Sequence, residues 1–161
     1  MHYPLYWQYP DRIEGNGFSA MVVARGRCIM SLEDGEWWIT AVEPGGFAAH
    51  GAIQEFAMKA FQVTWTRVLE DRACEATSFE AFKGEVRELF KQISSKDDAN
   101  WRAARERVKN GAPLDAHMDT LRRVEDDLPA MLVIEPLERA STMAIEPLVS
   151  QDMTVPMAPA A

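Results

Sequence analysis

The chain is poor in the residues that carry most recognisable chemistry. It has two cysteines, Cys28 and Cys74, in 161 residues. That is too few for a disulfide scaffold, and two isolated thiols default to buried apolar groups. It has three histidines, His2, His50 and His117, and no CxxC or HxxxH spacing that would organise a metal site. No apolar run approaches the roughly 18 residues of a membrane span. The opening MHYPLYWQYPDRIEG has neither a basic stretch nor an apolar core, so no signal peptide is expected. Positive charge is also scarce: 17 Lys+Arg against 25 Asp+Glu leave a net charge of -8. This argues against a general phosphate-backbone binder, a local basic patch aside.

What remains is an ordinary globular composition. Hydrophobic residues make 47% and charged residues 26%, which excludes wholesale disorder. A chain of this length can bury roughly 70% of its unfolded surface, enough to fold without a metal or disulfide.

The first 17 residues alternate aromatics (Tyr3, Tyr6, Trp7, Tyr9) with Pro4 and Pro10 and end at Gly15-Asn16-Gly17. They read as an extended lead-in that lays its rings on the core. Residues 18–25 alternate in strand fashion until Gly26 interrupts. Cys28–Leu32 and Trp37–Val42 are two further short apolar runs, joined through Asp34-Gly35, the dipeptide that supplies the positive φ of a tight hairpin. A three-stranded antiparallel meander is expected, followed by an irregular turn at Pro44-Gly45-Gly46-Phe47.

The period then changes from 2 to 3.6. Ile53, Phe56, Ala57, Ala60, Phe61, Thr64, Trp65, Val68 and Leu69 fall on one face, which predicts a long amphipathic helix. A second helix opens at the capping box Thr77-Ser78-Phe79-Glu80 and carries the stripe Phe79, Phe82, Val86, Leu89, Phe90 and Ile93. A third spans about Ala99–Lys109 and stops at Asn110-Gly111. A fourth is expected from Pro113 to Leu128, and Met131–Ile134 reads as a last short strand. From about Ser141 the chain looks loosely held.

The succession of strand, Asp34-Gly35 hairpin, Trp37–Val42 strand, Pro44-Gly45-Gly46-Phe47, Gly51 and long helix resembles the HicB antitoxin family over roughly residues 28–71. The resemblance implies an α+β fold. Its core would be a three-stranded antiparallel sheet with one long amphipathic helix across it, a reduced ribonuclease-H-like layout, plus a C-terminal helical extension. The implied organisation is a β-β-β-α module with its aromatic lead-in over 1–72. A helical extension with room for one returning strand covers 73–135, and a loose tail covers 136–161. The implied function is that of a bacterial, cytoplasmic, non-enzymatic module of a toxin–antitoxin system. It would need no cofactor, and it would bind and block a small toxin-like protein. No helix-turn-helix or ribbon-helix-helix signature follows, so the DNA-binding half of that role has no support in the residues.

Candidate interface residues follow from the pattern. Trp37 and Trp38 are adjacent on one strand and must point to opposite sheet faces. One helix covers only one face, so the other face or a sheet edge is either covered by the later helices or open to a partner or a second copy. Phe47 follows the glycine turn. Arg102 and Arg105, with Lys109, form the only basic helix face, read as solvated and paired with Asp97, Asp98 and Asp126 or as an acidic-partner contact. The acidic residues Glu33, Asp34, Glu36 and Glu43 read as hairpin charges in preference to a two-metal centre, for which only Glu43 is suitably placed. No serine sits in a nucleophile elbow and no glycine-rich phosphate loop exists. The sequence therefore points to no catalytic or metal-binding residue. It carries two readings, partner binding and self-association.

Overall fold

The computed structural model describes residues 2–111, 128–138 and 158–159, the last two as backbone only. It is an α+β protein built on an antiparallel sheet, β1 (His2–Glu14), β2 (Ser19–Glu33), β3 (Glu36–Glu43), β4 (Gly45–Gly51), β5 (Met131–Leu137) and the two-residue β6 (Ala158–Pro159). Three helices accompany it, α1 (Gln54–Glu75), α2 (Phe79–Phe90) and α3 (Ser95–Lys109). The strands run in the order β4-β3-β2-β1-β6, with β5 also on β2.

The aromatic lead-in is a full strand. In β1 the odd residues Tyr3, Leu5, Trp7, Tyr9 and Ile13 are all buried and belong to the main core. The two prolines sit at even positions, so both nitrogens point to the same side of the strand. Only the outer side can spare a ladder donor, and there β1 is paired just at Leu5 and Tyr6, by β6. The hairpin to β2 closes through Gly15–Phe18 with Gly17 at φ 82°. The Asn16 side chain donates to the Cys74 carbonyl at 2.8 Å, tying the hairpin tip to the end of α1.

Gly26 does not end a strand. The expected strands 18–25 and 28–32 are one strand, β2, which runs past a register shift at Arg27/Cys28. A side chain at Gly26 would stand 2.0 Å from the Glu43 carbonyl oxygen and 2.9 Å from the Trp7 ring. The glycine thus marks a close crossing of chains, and not an end. β1 occupies one edge of β2 along its length. β3 and β5 share the other edge, on Arg27–Glu33 and Ser19–Arg25 respectively. The Asp34-Gly35 hairpin forms as expected, with Asp34 at φ 50° and Gly35 at φ 81°. Past the cis Glu43-Pro44 bond, the anticipated irregular turn leads directly into β4.

One sheet face is covered by α1 and α2. The buried residues of α1 are Ala57, Phe61, Trp65, Leu69 and Ala73. This face is narrower than the expected one, and Ile53 and Phe56 stand outside it, exposed. Phe82, Val86 and Leu89 of α2 join the same core, capped at Ser78, whose hydroxyl accepts from the Ala81 amide, and not at Thr77. α3 lies on the opposite face over Tyr6, Ile29 and Val42. It starts at Ser95, earlier than expected, because Ser94 supplies an N-cap to the Asp97 amide. The expected helix 113–128 lies outside the described residues except for Leu128, which packs against the α3-side cluster. The returning strand is present and longer than expected, through Leu137. The tail from Ser141 lies outside the described residues except for β6. Among the described residues no helix is long and apolar enough to cross a membrane.

Candidate interaction surface

The α3 face divides into a closed half and an open half. The closed half is pinned by Trp101. Its indole is 3% exposed, and its N–H donates to the Leu5 carbonyl at 3.3 Å. Its ring meets Tyr6 edge-on at 5.5 Å. Two guanidinium groups lie against the indole, Arg27 at 4.9 Å and Arg105 at 5.5 Å from its centroid. Arg105 donates to the Tyr6 hydroxyl at 2.8 Å, and Arg27 donates to Glu43 at 2.9 Å and to Asp98 at 2.6 Å. Asp98 also accepts from Arg102, at 3.0 Å. Burial works against ionisation of Asp98, but the hydrogen bonds and charge of Arg102 and Arg27 outweigh it and hold its carboxyl below the ordinary aspartate range.

The open half lies over the ends of β1–β4 beyond the first turn of α3. The register places His2, Ser31, Trp38 and His50 side by side on one face, strand by strand. Trp38 is half-buried, and its ring stacks on the His50 imidazole at 4.6 Å. His50 Nδ1 lies 2.8 Å from Glu36 Oε2, an ion pair when the imidazole is protonated. Ser31 donates to Glu33 at 2.9 Å. Between this row and the start of α3 is a polar cleft of about 180 Å³, reached by Ser31, Glu33, Thr40, Lys96, Asp97 and Asn100. An aromatic ring thus sits amid carboxylates, two of them from the exposed hairpin tip. Such a surface is suited to Arg- or Lys-bearing segments, which combine an apolar stem with a positive head.

The residues singled out in the sequence separate accordingly. Trp37 turns into the main core, as does most of Phe47, which stacks between Phe61 at 4.9 Å and Trp65 at 5.8 Å. Arg105 is buried within the α3 clamp. Those three serve the protein's own fold. Arg102 is exposed but held by Asp98, and Trp38 alone of the five presents an aromatic surface on the open half. Of the acidic candidates, Glu43 is engaged by Arg27, and no group of three or more potential metal ligands occurs among the described residues. Cys28 is buried, which pushes its thiol pKa up, whereas Cys74 is exposed, contrary to the default for a lone thiol.

Sequence reasoning missed His50, Ser31 and His2 as neighbours of Trp38. The signal was there in principle: the hairpin register of Asp34-Gly35 fixes Ser31 opposite Trp38. His50 required β4, which the Pro-Gly-Gly-Phe stretch concealed. No known family, curated protein or solved structure matches the chain.

Proposed function

We propose that this chain is a non-catalytic protein-interaction module that binds and neutralises or regulates a small partner protein, after the manner of a HicB-type antitoxin in a bacterial cytoplasm. The partner seats on the open half of the α3 face. The observation that carries the reading is Trp38, a half-exposed indole stacked on His50 and bordered by Glu33 and Glu36. Aromatic residues of this kind dominate binding energy where a partner excludes water around them. The net charge of -8 and the acidic hairpin tip favour a basic partner, and steer it electrostatically.

The test is affinity capture from the native host with the wild-type chain and with Trp38→Ala. The expected result is a small basic protein held by the wild type and lost, by about 2 kcal/mol or more of binding energy, in the variant. Trp38→Ala should cost little stability because the ring is only half-buried. A partner retained equally by both chains, or capture only of acidic proteins, would overturn the assignment of this surface. Self-association is the second reading, and a separate feature of the molecule favours it.

A further inference from the structure

Five large apolar side chains are exposed among the described residues, and three of them, Ile53, Phe56 and Val63, belong to α1 or its N-cap. Phe56 is the most exposed, at 63%. Phe56, Ala60, Val63 and Arg67 follow at spacings of four, three and four residues, on the side of the helix opposite to Phe61, Trp65 and Leu69. α1 therefore has two apolar sides, one in the core and one facing out.

α1 packs chiefly on β4, the outermost strand on that side of the sheet. Edge strands are ordinarily guarded by proline or charge. β1 carries Pro4 and Pro10, and β5 carries Glu135 and Pro136. The β4 sequence, Gly-Gly-Phe-Ala-Ala-His-Gly, has neither proline nor any Asp, Glu, Lys or Arg. The molecule's unguarded edge and its outward apolar helix stripe thus lie together.

From this we infer that the β4 edge and the outer stripe of α1 form the interface with a second copy of this chain. A two-fold axis normal to the sheet makes β4 antiparallel to its counterpart and α1 antiparallel to its counterpart at once, which is the self-complementary geometry of an isologous dimer. With the helices centred near Ala60, Phe56 of each copy meets Val63 of the other. Glu55, in the first turn, comes within reach of the partner's Arg67, whose side chain leans back toward the start of its helix. The symmetry makes that opposite-charge contact twice. A strand edge plus the Ile53–Arg67 stretch from each copy is of the order of the about 1,000 Å² that a specific pair must bury. The surface is separate from the Trp38 face, so the inference stands without the partner reading.

Sedimentation equilibrium on the full chain, over a concentration series, tests it. The wild type should weigh twice the 18.1 kDa chain. Phe56→Glu and the edge guard Ala48→Lys should each weaken dimerisation by about tenfold or more. Glu55→Arg and Arg67→Glu should each weaken it and together restore it; both positions are solvent-facing, so this arm reads the interface even if Phe56→Glu folds poorly. Trp38→Ala should leave the mass unchanged. A wild type monomeric throughout the series would overturn the inference. So would a dimer indifferent to Phe56→Glu and Ala48→Lys, a charge swap without rescue, or a dimer dissolved by Trp38→Ala.

Discussion

Truncating Trp101 to alanine should detach α3 while leaving the main core standing. The indole is nearly inaccessible, and its removal forfeits the burial and leaves a void, about 3–5 kcal/mol for a buried tryptophan. Two guanidinium–indole contacts and the hydrogen bond to Leu5 go with it, each worth about 0.5–2 kcal/mol. What still holds α3 is the Arg27–Asp98 pair and the small buried side chains of Ala104 and Val108. A loss of about 4–5 kcal/mol at neutral pH is therefore expected, a large share of the stability of a domain this size. Trp101→Phe, which keeps most of the volume but loses the N–H, should lose about 1–2 kcal/mol. Urea unfolding followed by circular dichroism gives both numbers, and native-state hydrogen exchange locates the damage. Amides of α3 should exchange far faster in the alanine variant, while those of α1 and β2 retain protection up to the new global limit. A loss under about 1 kcal/mol, or α3 amides as protected as before, would refute the view that one ring holds this helix to the sheet.

Glycine substitutions should have opposite signs at two positions. Gly26→Ala drives a methyl into the Glu43 carbonyl and should destabilise by about 3 kcal/mol or more, whereas Gly84→Ala, in α2 with open space around it, should stabilise by about 0.5–1 kcal/mol; thermal melts of the two variants decide. Asp98→Asn should lose about 1–2 kcal/mol at neutral pH. Because the folded carboxyl is held low, its contribution is present above the ordinary aspartate value of 3.8 and vanishes as pH falls through the lower folded value, so the two stability curves should converge in acid. Asp11 behaves in the opposite sense. Burial raises its pKa, a hydrogen bond from Thr66 opposes this, Glu70 adds to it, and Oδ2 has no hydrogen-bond partner among the described residues. Protonation of Asp11 favours the fold, so its stabilising effect is present at low pH and lost as pH rises through the folded value. Asp11→Asn should accordingly gain up to about 1 kcal/mol at neutral pH and nothing in strong acid, and a gap independent of pH would contradict this.

Much of the architecture was legible where a local signal and its tertiary setting agree. Asp34-Gly35 fixed a hairpin because positive φ at both positions is a local requirement, and the turn formed there. Helix α1 was visible in its period, yet its buried side was read too broadly, because Phe56 and Ile53 are apolar for a reason other than the core. β1 was obscured by Pro4 and Pro10, although the Tyr3, Leu5, Trp7, Tyr9 alternation beneath them is the period of a strand. Gly26 read as a break because a crowded crossing and a chain end call for the same residue. At the candidate surface, Trp38 was legible from parity alone. The partners that give it a setting come from four strands, and Arg105 with Tyr6 are 99 residues apart, a distance no local pattern spans.

The shared edge of β2 imposes a schedule on synthesis. The first hairpin leaves the ribosome early, and β3 soon zips onto Arg27–Glu33, but the neighbouring stretch Ser19–Arg25 must wait for Met131–Leu137, a hundred residues later. Throughout that interval a row of main-chain donors and acceptors stands bare on a nascent sheet. The final closure joins the chain's beginning to a segment near its end, so the slowest assembly step should be that late docking, and the growing polypeptide should be most vulnerable to stray strand pairing just before it.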